Sequence, residues 1–188
     1  MSLTPSAMLD LGTSLPRFSL PDLDGTVRRS DEFRESPALL VVFICNHCPY
    51  VEHIRAGFVR FAREYQAKGV SVVAINSNDA MMYPQDGPAG MRQESTRAGY
   101  TFPYLYDETQ DVARAFRAVC TPDIFLFDKN RHLVYRGQFD GSRPGSGRPV
   151  TGADLRAAVD AVLAERPVFA DQKPSVGCSI KWKRVSRD

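Results

Sequence analysis

The sequence predicts a three-layer α/β domain, with helices on both faces of a mixed sheet, and three observations carry that expectation. Strand and helix signals alternate along the chain. Two apolar runs, residues 38–44 and 70–75, are continuous instead of alternating, which is the pattern of strands buried on both faces. A pair of hairpin-linked strands and a terminal helix close the series, so parallel pairing comes first and antiparallel pairing later.

The elements follow in order. Residues 1–14 form an N-terminal extension ahead of a domain spanning 15–165. Residues 18–20 and 26–28 flank the turn-forming Asp24-Gly25 and predict a small hairpin. Residues 38–44, ALLVVFI, are rich in β-branched side chains and predict a central strand. Over residues 49–67, Val51, Ile54, Phe58, Phe61, Ala62 and Tyr65 recur at helical spacing, with Pro49 suited to a first turn and Gly69 to the exit. Residues 70–75 predict a second buried strand, ended by the polar turn Asn76-Ser77-Asn78-Asp79. After the loop-like YPQDGPAG come a helix near 91–98, a short strand at 104–106 and a helix near 109–119 with Val112, Ala115 and Phe116 inward. Residues 123–127 and 133–135 predict two strands joined by Asp128-Lys129-Asn130. GSRPGSGRP, residues 141–149, reads as a flexible loop, and Thr151 precedes a last helix reaching Leu163. The tail, residues 166–188, carries VGCSIKWK with the only Trp and is expected to pack back on the domain.

Composition excludes several functions. The 188 residues are 43% hydrophobic and 24% charged, enough to bury a core without staples, so a disulfide-scaffolded mini-protein is ruled out. With 24 Lys+Arg against 22 Asp+Glu and no long basic run, there is no electrostatic footprint for nucleic acid or an anionic membrane surface. No stretch approaches the roughly 18 uninterrupted apolar residues of a membrane span. The N-terminal residues, without Lys or Arg before Arg17 and without a long apolar run, do not read as a secretory leader. A cytoplasmic location is therefore expected, where stable disulfides are disfavoured and a close cysteine pair is catalytic or metal-binding.

Of four cysteines, Cys45 and Cys48 are three apart while Cys120 and Cys178 stand alone. The pair lies between the first strong strand and its helix. There the unpaired N–H groups and the positive end of the helix dipole stabilise a thiolate, which is the nucleophile, and two thiols so spaced can close a disulfide within one turn. Asn46 and His47 lie between them as modulators; a protonated His47 would stabilise a nearby thiolate and make the pair a better oxidant. His53 lies off that helical face and reads as structural or exposed. A site of another class, zinc on Cys45, His47, Cys48 and Cys120, lacks the second spaced pair of structural zinc sites, so no metal is expected. An interaction-only role is the remaining alternative.

The strand VVFI, Cys45-Asn46-His47-Cys48, a helix, and later Thr121-Pro122 before the strand DIFLFD resemble the thioredoxin superfamily over roughly residues 15–165. The opening LPRFSLPDLDGTV and the run CNHCPYV resemble its redoxin branch, the alkyl hydroperoxide reductase/thiol-specific antioxidant, or peroxiredoxin-like, family. The resemblance implies a thioredoxin-like fold and a cis Thr121-Pro122 peptide. It further implies that these two residues offer backbone groups to a substrate, and that no bound cofactor is needed. Partners would be protein or small-molecule disulfides or peroxides, with a thiol reductant. Two mechanisms follow. In thiol-disulfide exchange, the preferred one, Cys45 is the more exposed attacking thiol and Cys48 resolves. In a peroxidase, Cys48, which with Pro49 matches the family's T-x-x-C-P cysteine, attacks and Cys45 resolves; Cys45 replaces that motif's threonine, which favours exchange. Cys120 is a possible auxiliary thiol or a buried small hydrophobe, and Cys178 reads as a bystander.

Overall fold

The structure is a computed structural model, and it describes residues 3–184. Its central sheet has five strands. The strands are β4 (Leu39–Phe43), β5 (Ser71–Asn76), β6 (Tyr104–Tyr106), β8 (Asp123–Phe127) and β9 (Leu133–Arg136). β4 pairs parallel with β5, and β5 with β6, whereas β4 meets β8 and β8 meets β9 antiparallel. Early parallel and later antiparallel pairing is the order the sequence implies.

The continuous apolar runs are the reason β4 lies at the centre. All five of its residues are fully buried, each contributing about 1.5–3 kcal/mol of apolar transfer free energy. Leu40 and Val42 pack with Ile124 and Leu126 against α1 (Pro49–Gln66) and α4 (Ala153–Leu163). Leu39, Val41 and Phe43 face the other way, with Phe125 and Phe127, toward α3 (Asp111–Ala115). Phe43, Phe116 and Phe125 meet edge-on there, with centroids 5.3–5.9 Å apart. α2 (Pro88–Ala98) contributes Met91 to the α1 side. The hairpin of β2 (Ser19–Pro21) and β3 (Val27–Arg29) forms around Asp24-Gly25.

One helix is shorter than its pattern suggests. The expected helix over 109–119 is confined to Asp111–Ala115. Gln110 before it and Arg117 after it take positive φ angles of 67° and 51°, which a continuing helix excludes. Asp107 accepts the N–H groups of Val112 and Ala113, stopping the helix short at its start.

The two chain ends meet in a second, small sheet. β1 (Leu3–Pro5) pairs antiparallel with β10 (Val176–Ser179), and β10 pairs antiparallel with β7 (Cys120–Thr121). The N-terminal extension and the tail are thus joined to one another and to the segment that enters β8. Among the described residues, no helix is long and apolar enough to cross a membrane.

Candidate active site

The chain leaves β4 at Phe43, makes one more sheet hydrogen bond from the Ile44 N–H to the Ile75 carbonyl (3.0 Å), and turns through Cys45–Cys48 into α1. Cys48 is the N-cap of that 18-residue helix, with extended φ and ψ of −84° and 120°, and Pro49 fills the first position, where no N–H is needed. The cysteine pair therefore stands at the positive end of a long helix, as its spacing implies.

All four cysteines are buried, and among the described residues none forms a disulfide. Cys45 Sγ lies 3.3 Å from Thr121 Oγ1, and Cys48 Sγ lies 3.1 Å from the Thr121 carbonyl oxygen. The third sulfur of the site comes from the tail: Cys178 Sγ is 2.9 Å from Cys48 Sγ. A hydrogen bond from the Cys45 thiol lowers the Cys48 thiol, and the Cys178 thiol and the Val51 N–H lower it further, against the opposing effect of burial. Cys45 is pushed up, by donating that hydrogen bond and by burial, and burial with the contact to Cys48 pushes Cys178 up to about 12. Of these three thiols, Cys48 is the one whose pKa its surroundings lower. Cys45 and Cys48 are 2% and 0% exposed, so exposure does not distinguish them as the attacking thiol.

Asn46 and His47 are held by residues that local sequence patterns do not reveal. The Asn46 N–H donates to Asp86 Oδ1 (2.8 Å), and the Tyr104 hydroxyl donates to Asn46 Oδ1 (2.9 Å). His47 Nδ1 pairs with Asp86 Oδ2 at 2.7 Å while its ring stacks on Tyr83 at 5.2 Å. The contact with Asp86 raises the His47 pKa. Burial works to raise Asp86, but hydrogen bonds from His47, Asn78 and Asn46 outweigh it and hold the carboxyl below its usual range. Asp86 lies in the stretch that the sequence marks only as a Gly/Pro-rich loop. Donor atoms of Cys45, His47 and Asp86 lie within 4.8 Å of one another, a set in which Asp86 takes the place the sequence offered to Cys48 and Cys120.

The Thr121-Pro122 peptide is cis. It is not an open surface for a substrate, however: Thr121 is 3% exposed, and β10 lies along it with Cys178 opposite Thr121. The cause is Gly177, where a Cβ would sit 1.9 Å from the Thr121 carbonyl oxygen, so only glycine admits so close an approach. Beside Pro122 a small cavity of about 20 Å³ is lined by Tyr50, His53 and Ser142 among others, and His53 Nε2 contacts Ser142 Oγ at 3.0 Å, a structural role. Cys120 Sγ faces the Pro122 carbonyl at 3.7 Å and burial pushes its thiol up, which fits a buried hydrophobe better than an auxiliary thiol.

Asp123 was hidden in the apolar strand. Burial raises its pKa to about 7, and nearby groups of Ser6 and Val119 only partly offset that. Among the described residues neither carboxylate oxygen finds a hydrogen bond of normal geometry.

Comparison with known proteins agrees with this architecture. An uncharacterized conserved protein from Geobacillus kaustophilus has the same structure with a TM-score of 0.97 and 52% identity, covering 99% of each chain. A putative thiol:disulfide interchange protein DsbE from Chlorobium tepidum superposes with a TM-score of 0.64 at 23% identity, over 82% of this chain and 99% of that one, and shows the thioredoxin-like fold. The thiol-disulfide oxidoreductase ResA of Geobacillus thermodenitrificans is 26% identical over 133 residues, 68% of each chain. The 1-Cys peroxiredoxin PER1 of Zea mays is 24% identical over 118 residues, and this chain spans about half of that relative, 52%. Residues 11–136, from the extension through β9, match the AhpC/TSA family, so the helix-capping cysteine pair stands within a family match that covers well over half of the sequence, and the chain belongs to the AhpC/TSA family.

Proposed function

We propose that the protein is a thiol-disulfide oxidoreductase that cycles Cys45 and Cys48 between dithiol and disulfide. The observation that carries this reading is a pair of thiols three residues apart at the N-terminus of α1, with Cys48 as the N-cap and its pKa lowered by its surroundings. The Cys48 thiolate attacks one sulfur of a substrate disulfide and expels the other as a thiolate. Cys45 then gives up its proton, attacks Cys48 Sγ, and releases the second substrate thiol, leaving the Cys45–Cys48 disulfide for an external thiol reductant. His47, paired with Asp86, which raises its pKa, favours a nearby thiolate when it is protonated. Relatives named for thiol-disulfide oxidoreductase and peroxiredoxin chemistry support an oxidoreductase, at low identity. The reading includes a cytoplasmic setting, where reduced thiols regenerate the pair.

A second reading has its own support. Cys48 is fully buried, which suits a small oxidant. Peroxide would oxidise Cys48 to a sulfenic acid, and Cys45 would then expel water to give the same disulfide. Stopped-flow single turnovers with a low-molecular-weight disulfide and with hydrogen peroxide separate the two, using the parent, Cys45→Ser and Cys48→Ser proteins. Cys48→Ser should lose reaction with both reagents, whereas Cys45→Ser should keep the first step, the attack by Cys48. A parent rate far higher with the disulfide supports exchange, and the converse supports the peroxidase. If Cys48→Ser keeps the parent rate, Cys48 is not the attacking sulfur.

A further inference from the structure

The tail brings a third thiol into the site. Cys178 Sγ lies 2.9 Å from Cys48 Sγ, only about 0.9 Å beyond the roughly 2.05 Å of a covalent S–S bond. This contact spans 130 residues of sequence and is held from several sides. β10 is the middle strand of the small sheet, with Leu3 opposite Cys178 on one side and Thr121 opposite it on the other. Gly177 allows the close approach to β7. Beyond the strand, the Ile180 N–H donates to the Val119 carbonyl (3.0 Å), and the Lys181 N–H donates to Asn78 Oδ1 (2.8 Å). Asn78 also donates to Asp86 (2.8 Å), so the segment that fixes Cys178 is tied to the group that fixes His47.

We propose that Cys178 is a third redox thiol of this site, which takes over Cys48 once the Cys45–Cys48 disulfide has formed and moves the bond to Cys48–Cys178. The proposal rests on the dithiol cycle described above. The Cys178 sulfur attacks Cys48 Sγ, the Cys45–Cys48 bond breaks, and Cys45 leaves as a thiolate that takes the proton given up by Cys178. One disulfide and one thiol are present before and after, so no oxidant or reductant is consumed. The exchange returns Cys45 to the thiol form while the oxidised equivalent is stored on the tail, and it ties the N-terminus of α1 covalently to β10.

The test uses the full chain. Parent, Cys45→Ser and Cys178→Ser proteins are oxidised with one equivalent of diamide, free thiols are blocked with N-ethylmaleimide, and unreduced peptides are identified by mass spectrometry. The parent should yield a linked peptide pair joining Cys48 to Cys178 with Cys45 alkylated. Cys45→Ser should yield the same link, and Cys178→Ser should lose it and show Cys45–Cys48 alone. If the parent forms no Cys48–Cys178 link while Cys178→Ser forms Cys45–Cys48, the relay is overturned and the dithiol cycle stands, whatever Cys45→Ser forms. If Cys178→Ser, folded by circular dichroism, forms no Cys45–Cys48 disulfide, the dithiol cycle fails and the relay with it.

Discussion

The two sheets of this molecule are built on different physics. In the five-stranded sheet, β4 is buried on both faces and its order follows from apolar transfer spread over many side chains. The small β1-β10-β7 sheet pairs strands of two to four residues, and its order comes from a glycine contact, backbone pairing and polar anchors on the tail. Redundancy protects the first: no single contact there decides the geometry. The second depends on a few contacts, and it brings Cys178 to the site. Stability and site geometry are therefore separable, and substitutions in the two sheets should have different signatures.

The largest expected effect lies in the central sheet. Phe43→Ala removes a fully buried ring that packs on Phe116 and Phe125 and should cost about 3–5 kcal/mol in chemical denaturation. Where the variant remains folded, the identity of the disulfide formed on oxidation should match the parent. A change in that disulfide would mean the two sheets are not separable.

Next comes Asp123, at the end of β8 where Phe43 is its register partner. Its folded pKa of about 7 exceeds the ordinary 3.8, so the folded state holds a proton that the unfolded chain has released. Its contribution therefore favours folding at low pH and is lost as pH rises from about 4 to 7, by up to about 1.4 kcal/mol per pH unit. Asp123→Asn should flatten that slope, so unfolding midpoints compared between pH 4.5 and 7 should fall less than in the parent. A slope equal to that of the parent would show that Asp123 is ionised in the fold.

How far the sequence discloses each sheet follows from the same contrast. The apolar runs at 38–44 and 70–75 carry their burial in adjacent residues, and β4, β5 and α1 appear where their patterns put them. The cysteine pair is legible for the same reason, since its chemistry depends on position at a helix start. Cys178 and Asp86 are not legible. One reaches Cys48 across 130 residues and the other reaches Asn46 across 40, and no local periodicity encodes such contacts. The cover over Thr121 is not legible for a related reason: the strand that lies along it comes from a tail whose alternation shows that it packs, not where.

At the small sheet the expected energies are lower and the effects on chemistry greater. Gly177→Ala places a Cβ against the Thr121 backbone, which cannot rotate away, so β10 must shift at a cost of about 1–3 kcal/mol. The Cys48–Cys178 link should weaken and Cys178 should react faster with N-ethylmaleimide, with the central sheet retained by circular dichroism. Unchanged labelling would show that Gly177 does not set the approach of the tail.

The smallest effect belongs to the His47–Asp86 pair, and its pH dependence identifies it. His47 has a raised folded pKa, so its contribution is complete below the ordinary 6.5 and disappears as pH rises through the raised value. Asp86 has a lowered folded pKa, so its contribution is present above the ordinary 3.8 and disappears as pH falls through the lowered value. Both are in place only between these limits. The stability difference between the parent and His47→Asn should therefore peak near about pH 5.5, at on the order of 1 kcal/mol, and shrink at alkaline pH. Over the same range, alkylation of Cys48 should slow in the variant, because the cation that favours its thiolate is gone. A purely structural histidine would change stability without that loss of thiol reactivity, so measuring both along one pH series decides whether His47 acts on the sulfurs or only on the loop.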